Sequence, residues 1–193
     1  MPQTRAPGKR AGLTRPAVLA AARELLAEGG VDRLSMRSVA QRLGVAPNAL
    51  YSHVPNKTAL LDDVLDDVLT EVLPPDPAAS DPLAAITALM TSTYDVLVAH
   101  ADLVPLFLAR QGARGPNATR LGDVLDHLLG RAAVPAAEIT SARRALIVHA
   151  IGSAAFASGP GEADRPIPAR EAARQFTLGL SWLLLGLAQA TRV

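Results

Sequence analysis

The chain has 193 residues, 49% hydrophobic and 19% charged, which is enough apolar material for a sizeable core and too much for a disordered chain. It contains no cysteine, and this excludes a disulfide scaffold, thiolate metal sites and a cysteine nucleophile. The net charge of +1 hides a segregation: residues 1–60 carry nine Lys/Arg against three acids, and residues 61–82 carry seven acids and no base. Such a division fits either a first third that faces a polyanion or basic and acidic faces that pair with each other. Residues 1–15 are polar and basic with no apolar stretch, so no secretory signal is expected and the expected location is cytoplasmic.

In chain order, almost every segment after residue 13 reads as helix. Val18, Leu19, Ala22, Leu25 and Leu26 fall on one face of a first helix, with Thr14 as N-cap, Pro16 in the first turn and Gly29-Gly30 as the stop. Ser35 caps a short second helix with apolar Met36, Val39, Ala40 and Leu43, ended by Gly44. A third runs from about Pro47 to His53. Pro55 breaks the chain, and Asn56 caps a fourth helix with Leu60, Leu61, Val64, Leu65, Val68, Leu69 and Val72 on one face. Its other face holds Asp62, Asp63, Asp66, Asp67 and Glu71, and is expected to lie in solvent.

Pro74 to Ser80 is a linker, and Asp81-Pro82 opens a helix to about His100. Further breaks are expected at Gly112–Pro116, near Ala132–Pro135 and across Ser158–Pro168. The last separates helices of about Ala136 to Ala157 and about Ala169 to Ala190. No strand alternation is present, and the expected fold class is all-α. The run from Leu178 to Leu187 is apolar nearly all round but is too short to span a membrane, which takes roughly 18 or more residues. Its own core or a second copy of the chain must cover it, and Leu178, Trp182 and Leu185 are the candidate interface residues of a homodimer.

Ser35 to His53 has the spacing of a helix-turn-helix, in which one helix buttresses a second that lies in the DNA major groove. Gly44 permits the left-handed turn, while Val45 and Leu50 plug the angle between the helices. Pro47, Asn48, Ala49, Tyr51, Ser52 and His53 are left for base edges, thymine methyls and phosphates. Taken alone the pattern is weak, because many helical cores contain a glycine turn.

The stretch Leu13 to Leu65 closely resembles the amino-terminal domain of tetracycline-repressor (TetR) family regulators. Thr14, Gly29-Gly30, Met36 to Ala40, Leu43 to Val45 and Leu50 to Lys57 carry the resemblance. The ending Phe176 to Leu187 is similar to the last dimerisation helix of the tetracycline-repressor branch. The resemblance implies a basic flexible arm (1–12), a helix-turn-helix DNA-binding domain (13–58) and a ligand-binding and dimerisation domain (59–193). It implies a homodimer on double-stranded palindromic operator DNA, released by a small-molecule effector. Arg37 and Asn48 become candidates for base contact, with Pro47 and Ala49 for apolar contact. Tyr51, Ser52 and His53 fall at the end of the recognition helix, and Thr14 and Lys57 where phosphate is held.

At the places where body histidines of the tetracycline repressors bind a drug–magnesium chelate, this chain has Leu73 and Phe107, so a more apolar effector is expected. Candidate pocket residues are Thr93, Tyr94, Leu97, Phe107, Leu108, Gln111, His149 and Phe156. The four histidines show no metal-ligand spacing, and no catalytic constellation stands out, so neither a metal, a cofactor nor an enzymatic activity is expected. The alternative function is a helical small-molecule-binding or non-specific DNA-binding protein without inducible regulation.

Overall fold

The computed structural model describes residues 12–158 and 167–190, with the side chain of Ala190 excepted. The basic arm with Arg5, Lys9 and Arg10, and the Gly159-Pro160-Gly161 and Pro166 part of the last loop, lie outside the described residues. Those described form helices and connections, with no strand among them. They divide into two compact units, residues 1–60 and 61–193.

The first unit begins with α1 (Arg15–Arg33), capped by Thr14, whose hydroxyl accepts from the Ala17 amide at 3.4 Å. Its helical course breaks at Gly29 and Gly30, the latter at φ 65. Val18, Ala22, Leu25 and Leu26 are buried along one face, as the 3.6-residue spacing requires. α2 (Met36–Leu43) starts in a capping box, in which Ser35 and Ser38 each satisfy the other's backbone amide. Gly44, at φ 66, ends it: the Val45 amide donates to Ala40 O and the Gly44 amide to Gln41 O. Pro47–Ser52 is a 3₁₀ turn rather than an α-helix, anchored by fully buried Leu50. Short helical pieces of this length are often 3₁₀, and Pro55 stops this one soon after Ser52.

α3 (Lys57–Val68) is opened by Asn56, whose side-chain oxygen accepts from the Ala59 amide at 2.9 Å, and the helix runs across the boundary at Leu60. It gives way to a 3₁₀ turn, Leu69–Glu71, earlier than its apolar stripe suggests, although Leu69 and Val72 remain buried.

The second unit continues with α4 (Pro82–Ala99), a 3₁₀ turn Ala101–Leu103, α5 (Val104–Ala109), α6 (Pro116–Arg131), α7 (Ile139–Ser158) and α8 (Ala169–Ala190). Asp81 caps α4 by accepting from Ala84 N. α4 packs against α6, α7 and α8, and α7 against α4, α5, α6 and α8. By length and composition α4 is apolar enough to cross a membrane. Its position against three other helices gives that apolarity a use inside the unit. Phe176 of α8 is stacked between Tyr94 of α4 (ring centroids 4.2 Å apart) and His149 of α7 (5.1 Å). His149 Nε2–H donates to the Phe176 carbonyl at 3.0 Å, which fixes the imidazole tautomer. Burial pushes the Tyr94 phenol above its usual pKa range.

Candidate functional site

In the first unit, the short groups singled out by sequence gather at the 3₁₀ turn. Pro47, Asn48, Ala49, Tyr51 and Ser52 are exposed, Tyr51 by 52%, and His53 is half-buried. The Ser52 hydroxyl donates to Ala49 O, which tightens the turn. Arg37 is exposed in the first turn of α2. Lys57 donates to the Val31 carbonyl at 2.8 Å, so one of its three N–H groups is spent on the end of α1 and two are left. The Thr14 oxygen serves as a cap, and its O–H is left to donate. Arg42 is not an available cation. Its guanidinium pairs with Glu28 and Glu24 of α1 at 2.8 Å, and these hydrogen bonds, Glu28 first, raise its pKa further. The pairing ties α2 to α1 and leaves the basic charge of this unit to the other residues.

The second unit holds a half-open cavity of about 550 Å³. Leu69, Leu89, Met90, Leu97, Phe107, Leu121, Leu125, Ile147 and Ile151 make its walls, and the loop Gln111 to Gly115 forms part of its lining. This size and apolar character suit a drug-sized molecule. Of the polar side chains in the lining, Thr93 donates to Leu89 O, Thr119 donates to Gly115 O, and Arg143 is paired with Asp126 at 2.6 Å.

Thr93, Leu97, Phe107 and Gln111 line this cavity, but four other sequence candidates do not. Tyr94 and His149 are taken up by the stack on Phe176. Leu108 is 49% exposed on the outer side of α5, and Phe156 is 82% exposed on α7. Leu73 is also exposed, by 75%, with its amide donating to Ser92 Oγ. Helical spacing alone did not reveal Met90, Leu121, Arg143, Ile147 and Ile151 as lining residues, because a cavity wall and a packed core carry the same apolar pattern. Among the described residues no group of three His, Cys, Asp or Glu could hold a metal ion.

The acidic face of α3 is not the solvated surface expected from the sequence. Asp66 is only 5% exposed; it accepts from Ala118 N (2.8 Å), Asn117 N (3.2 Å) and Asn117 Nδ2 (3.0 Å) at the start of α6. A carboxylate there satisfies orphan amides and meets the positive end of the helix dipole. Asp62 accepts two hydrogen bonds from Arg110, from Nε at 2.6 Å and Nη2 at 2.7 Å. Both ends of the loop that lines the cavity are therefore fastened to α3.

A helix-turn-helix unit followed by a helical unit with an apolar cavity is the architecture of a DNA-binding regulator, and comparison with known proteins agrees. Residues 18–64 match the family of bacterial regulatory proteins called tetR. An HTH-type transcriptional regulator of Saccharopolyspora erythraea is 36% identical over 141 residues, which are 73% of this chain and 59% of that relative. ActR of Streptomyces coelicolor without ligand superimposes with a TM-score of 0.81 at 26% identity, over 94% of this chain and 97% of ActR. A second solved structure shows the TetR family protein ActR in complex with actinorhodin, with a TM-score of 0.79 at 27% identity over 94% of this chain and 99% of that one. BioQ of Mycobacterium smegmatis is 31% identical with a TM-score of 0.77, over 92% of this chain and 99% of BioQ. The chain belongs to the TetR family of bacterial regulatory proteins.

Proposed function

We propose that this protein is a homodimeric transcriptional repressor of the cytoplasm that binds palindromic operator DNA and is released when a small, largely apolar ligand fills the cavity. The observation that carries the reading is the cavity itself, with its lining loop fastened at both ends to α3. α3 begins among the residues of the DNA-reading unit and ends in the ligand-binding unit, so a ligand that moves the loop acts on the helix that joins the two. The work is binding without turnover. Residues 13–58 serve as the DNA-binding domain and 59–193 as the ligand-binding and dimerisation domain.

Dimerisation is supported by the apolar groups one chain leaves uncovered. Leu178, Trp182 and Leu185 of α8 are 41%, 64% and 59% exposed, and Val148 and Phe156 of α7 are exposed as well. Residues 178, 182 and 185 recur at helical spacing and form one stripe, which a second copy of the chain would cover.

On DNA, Arg37 and Asn48 read base edges while Pro47 and Ala49 offer apolar contact. Tyr51, Ser52 and His53 lie beside them, and Thr14 and Lys57 hold phosphates. The test is fluorescence anisotropy on the duplex upstream of the protein's own gene, beside a scrambled duplex of equal length. Asn48→Ala is expected to cost about 1–3 kcal/mol on the specific duplex and to relax preference at one position per half-site. Lys57→Ala should weaken both duplexes alike and flatten the salt dependence. Equal weakening of both duplexes by Asn48→Ala would refute its base contact. An apolar ligand that occupies the cavity should release the specific duplex.

A further inference from the structure

Three described helices end in the same way. At Gly44, Gln111 and Ala133 the backbone turns into the left-handed region, at φ 66, 58 and 64, and the following amide reaches back to the carbonyl five residues before it. At α5 the Gly112 amide donates to Phe107 O at 2.8 Å and the Gln111 amide to Leu108 O at 3.1 Å. Glycine suits this position, because any side chain strains it. Of the two places among the described residues where a side chain is kept there, Gln111 lies on the cavity and Ala133 does not.

The other neutral polar side chains of the lining have no free donor left. The hydroxyls of Thr93 and Thr119 donate to carbonyls of their own helix or cap. Arg143 is held by Asp126. Gln111, Arg114 and Asp123 are all exposed at the rim, but Arg114 and Asp123 are charged and do not match an uncharged ligand. The Gln111 amide makes no side-chain hydrogen bond among the described residues. It is the neutral group of the lining that offers donor and acceptor together, beside walls that are mostly apolar. Gln111 also directly follows Arg110, which is fastened to Asp62.

We infer that Gln111 is the specificity-determining residue of the cavity, hydrogen-bonding a carbonyl or hydroxyl on an otherwise apolar, uncharged ligand. This rests on the cavity being the effector site. Strain at Gln111 is then retained for recognition, as left-handed side chains at functional positions often are.

The probes are 9-fluorenone and fluorene, which share a three-ring skeleton and differ by one carbonyl, measured by equilibrium dialysis with the full chain. Wild-type protein is expected to bind the ketone about 5-fold more tightly than the hydrocarbon, the worth of one net hydrogen bond. In Gln111→Gly the two probes should bind equally, while the thermal midpoint rises by about 2–4 °C as the strain is relieved. Gln111→Asn, which keeps the amide and tolerates the left-handed backbone, should retain the preference. Ala133→Gly, which relieves the same strain away from the cavity, should raise the midpoint and leave the preference unchanged. Equal binding of both probes to the wild type overturns the role of Gln111 and leaves the cavity reading standing, as does a preference that survives in Gln111→Gly. Binding of neither probe to the wild type overturns both.

Discussion

Asp66→Ala is expected to destabilise the protein by about 2–3 kcal/mol, because it removes a helix cap and strands part-buried amides at the start of α6. Gly115→Ala disturbs the same joint from the other side while leaving Asp66 itself in place, and the backbone there, at φ 158, adds its own strain to any side chain. A Cβ at Gly115 would run into the Asp66 carboxyl carbon and stand 2.7 Å from each of its oxygens. That carboxylate is held by three hydrogen bonds and cannot swing aside cheaply. Overpacking of this kind costs about 1–3 kcal/mol. Urea denaturation measures both variants. If the acidic face of α3 were merely solvated, Asp66→Ala would fall within about 0.5 kcal/mol of the wild type. Both substitutions should also raise the ligand concentration needed to release DNA, since they loosen the loop from the helix it acts on.

The second large effect concerns the stripe on α8. Trp182→Glu with Leu185→Glu places two charges where a second copy would bury apolar groups, and light scattering should report a monomer. Operator affinity should then fall by about 100-fold or more, because two heads joined in one dimer hold the site far better than either alone. Trp182 and Leu185 are exposed in the single chain, so the substitutions leave its own core untouched, and circular dichroism checks that the fold is kept. A dimer that persists with full affinity would place the interface elsewhere.

The DNA-reading unit was legible in the sequence because its signals are local. Thr14, Ser35 and Asn56 cap the helices they precede, and Gly44 makes the turn its position demands. The 3₁₀ form of Pro47–Ser52 was not legible, since propensity does not separate a short α-helix from a tighter one. The roles of Asp62 and Asp66 escaped for a different reason. Their partners lie 48 and 51–52 residues away, so helical periodicity sorts them only as polar positions. The cavity was half-legible. Thr93, Leu97, Phe107 and Gln111 line it, but Tyr94 and His149 went to an aromatic stack that depends on Phe176 from another helix. The left-handed backbone of Gln111 had no signal in the sequence, because glycine is the residue that usually marks such a turn and Gln111 carries a side chain.

The central claim is that this protein reads a symmetric DNA sequence with two copies of one head. A binding selection from a pool of random-sequence duplexes, followed by sequencing, tests it most directly. The predicted result is enrichment of a palindrome whose half-sites are about 34–36 Å apart or a multiple of that spacing, one head in each major groove. A pool that stays random after repeated rounds, with binding governed by salt alone, would contradict it.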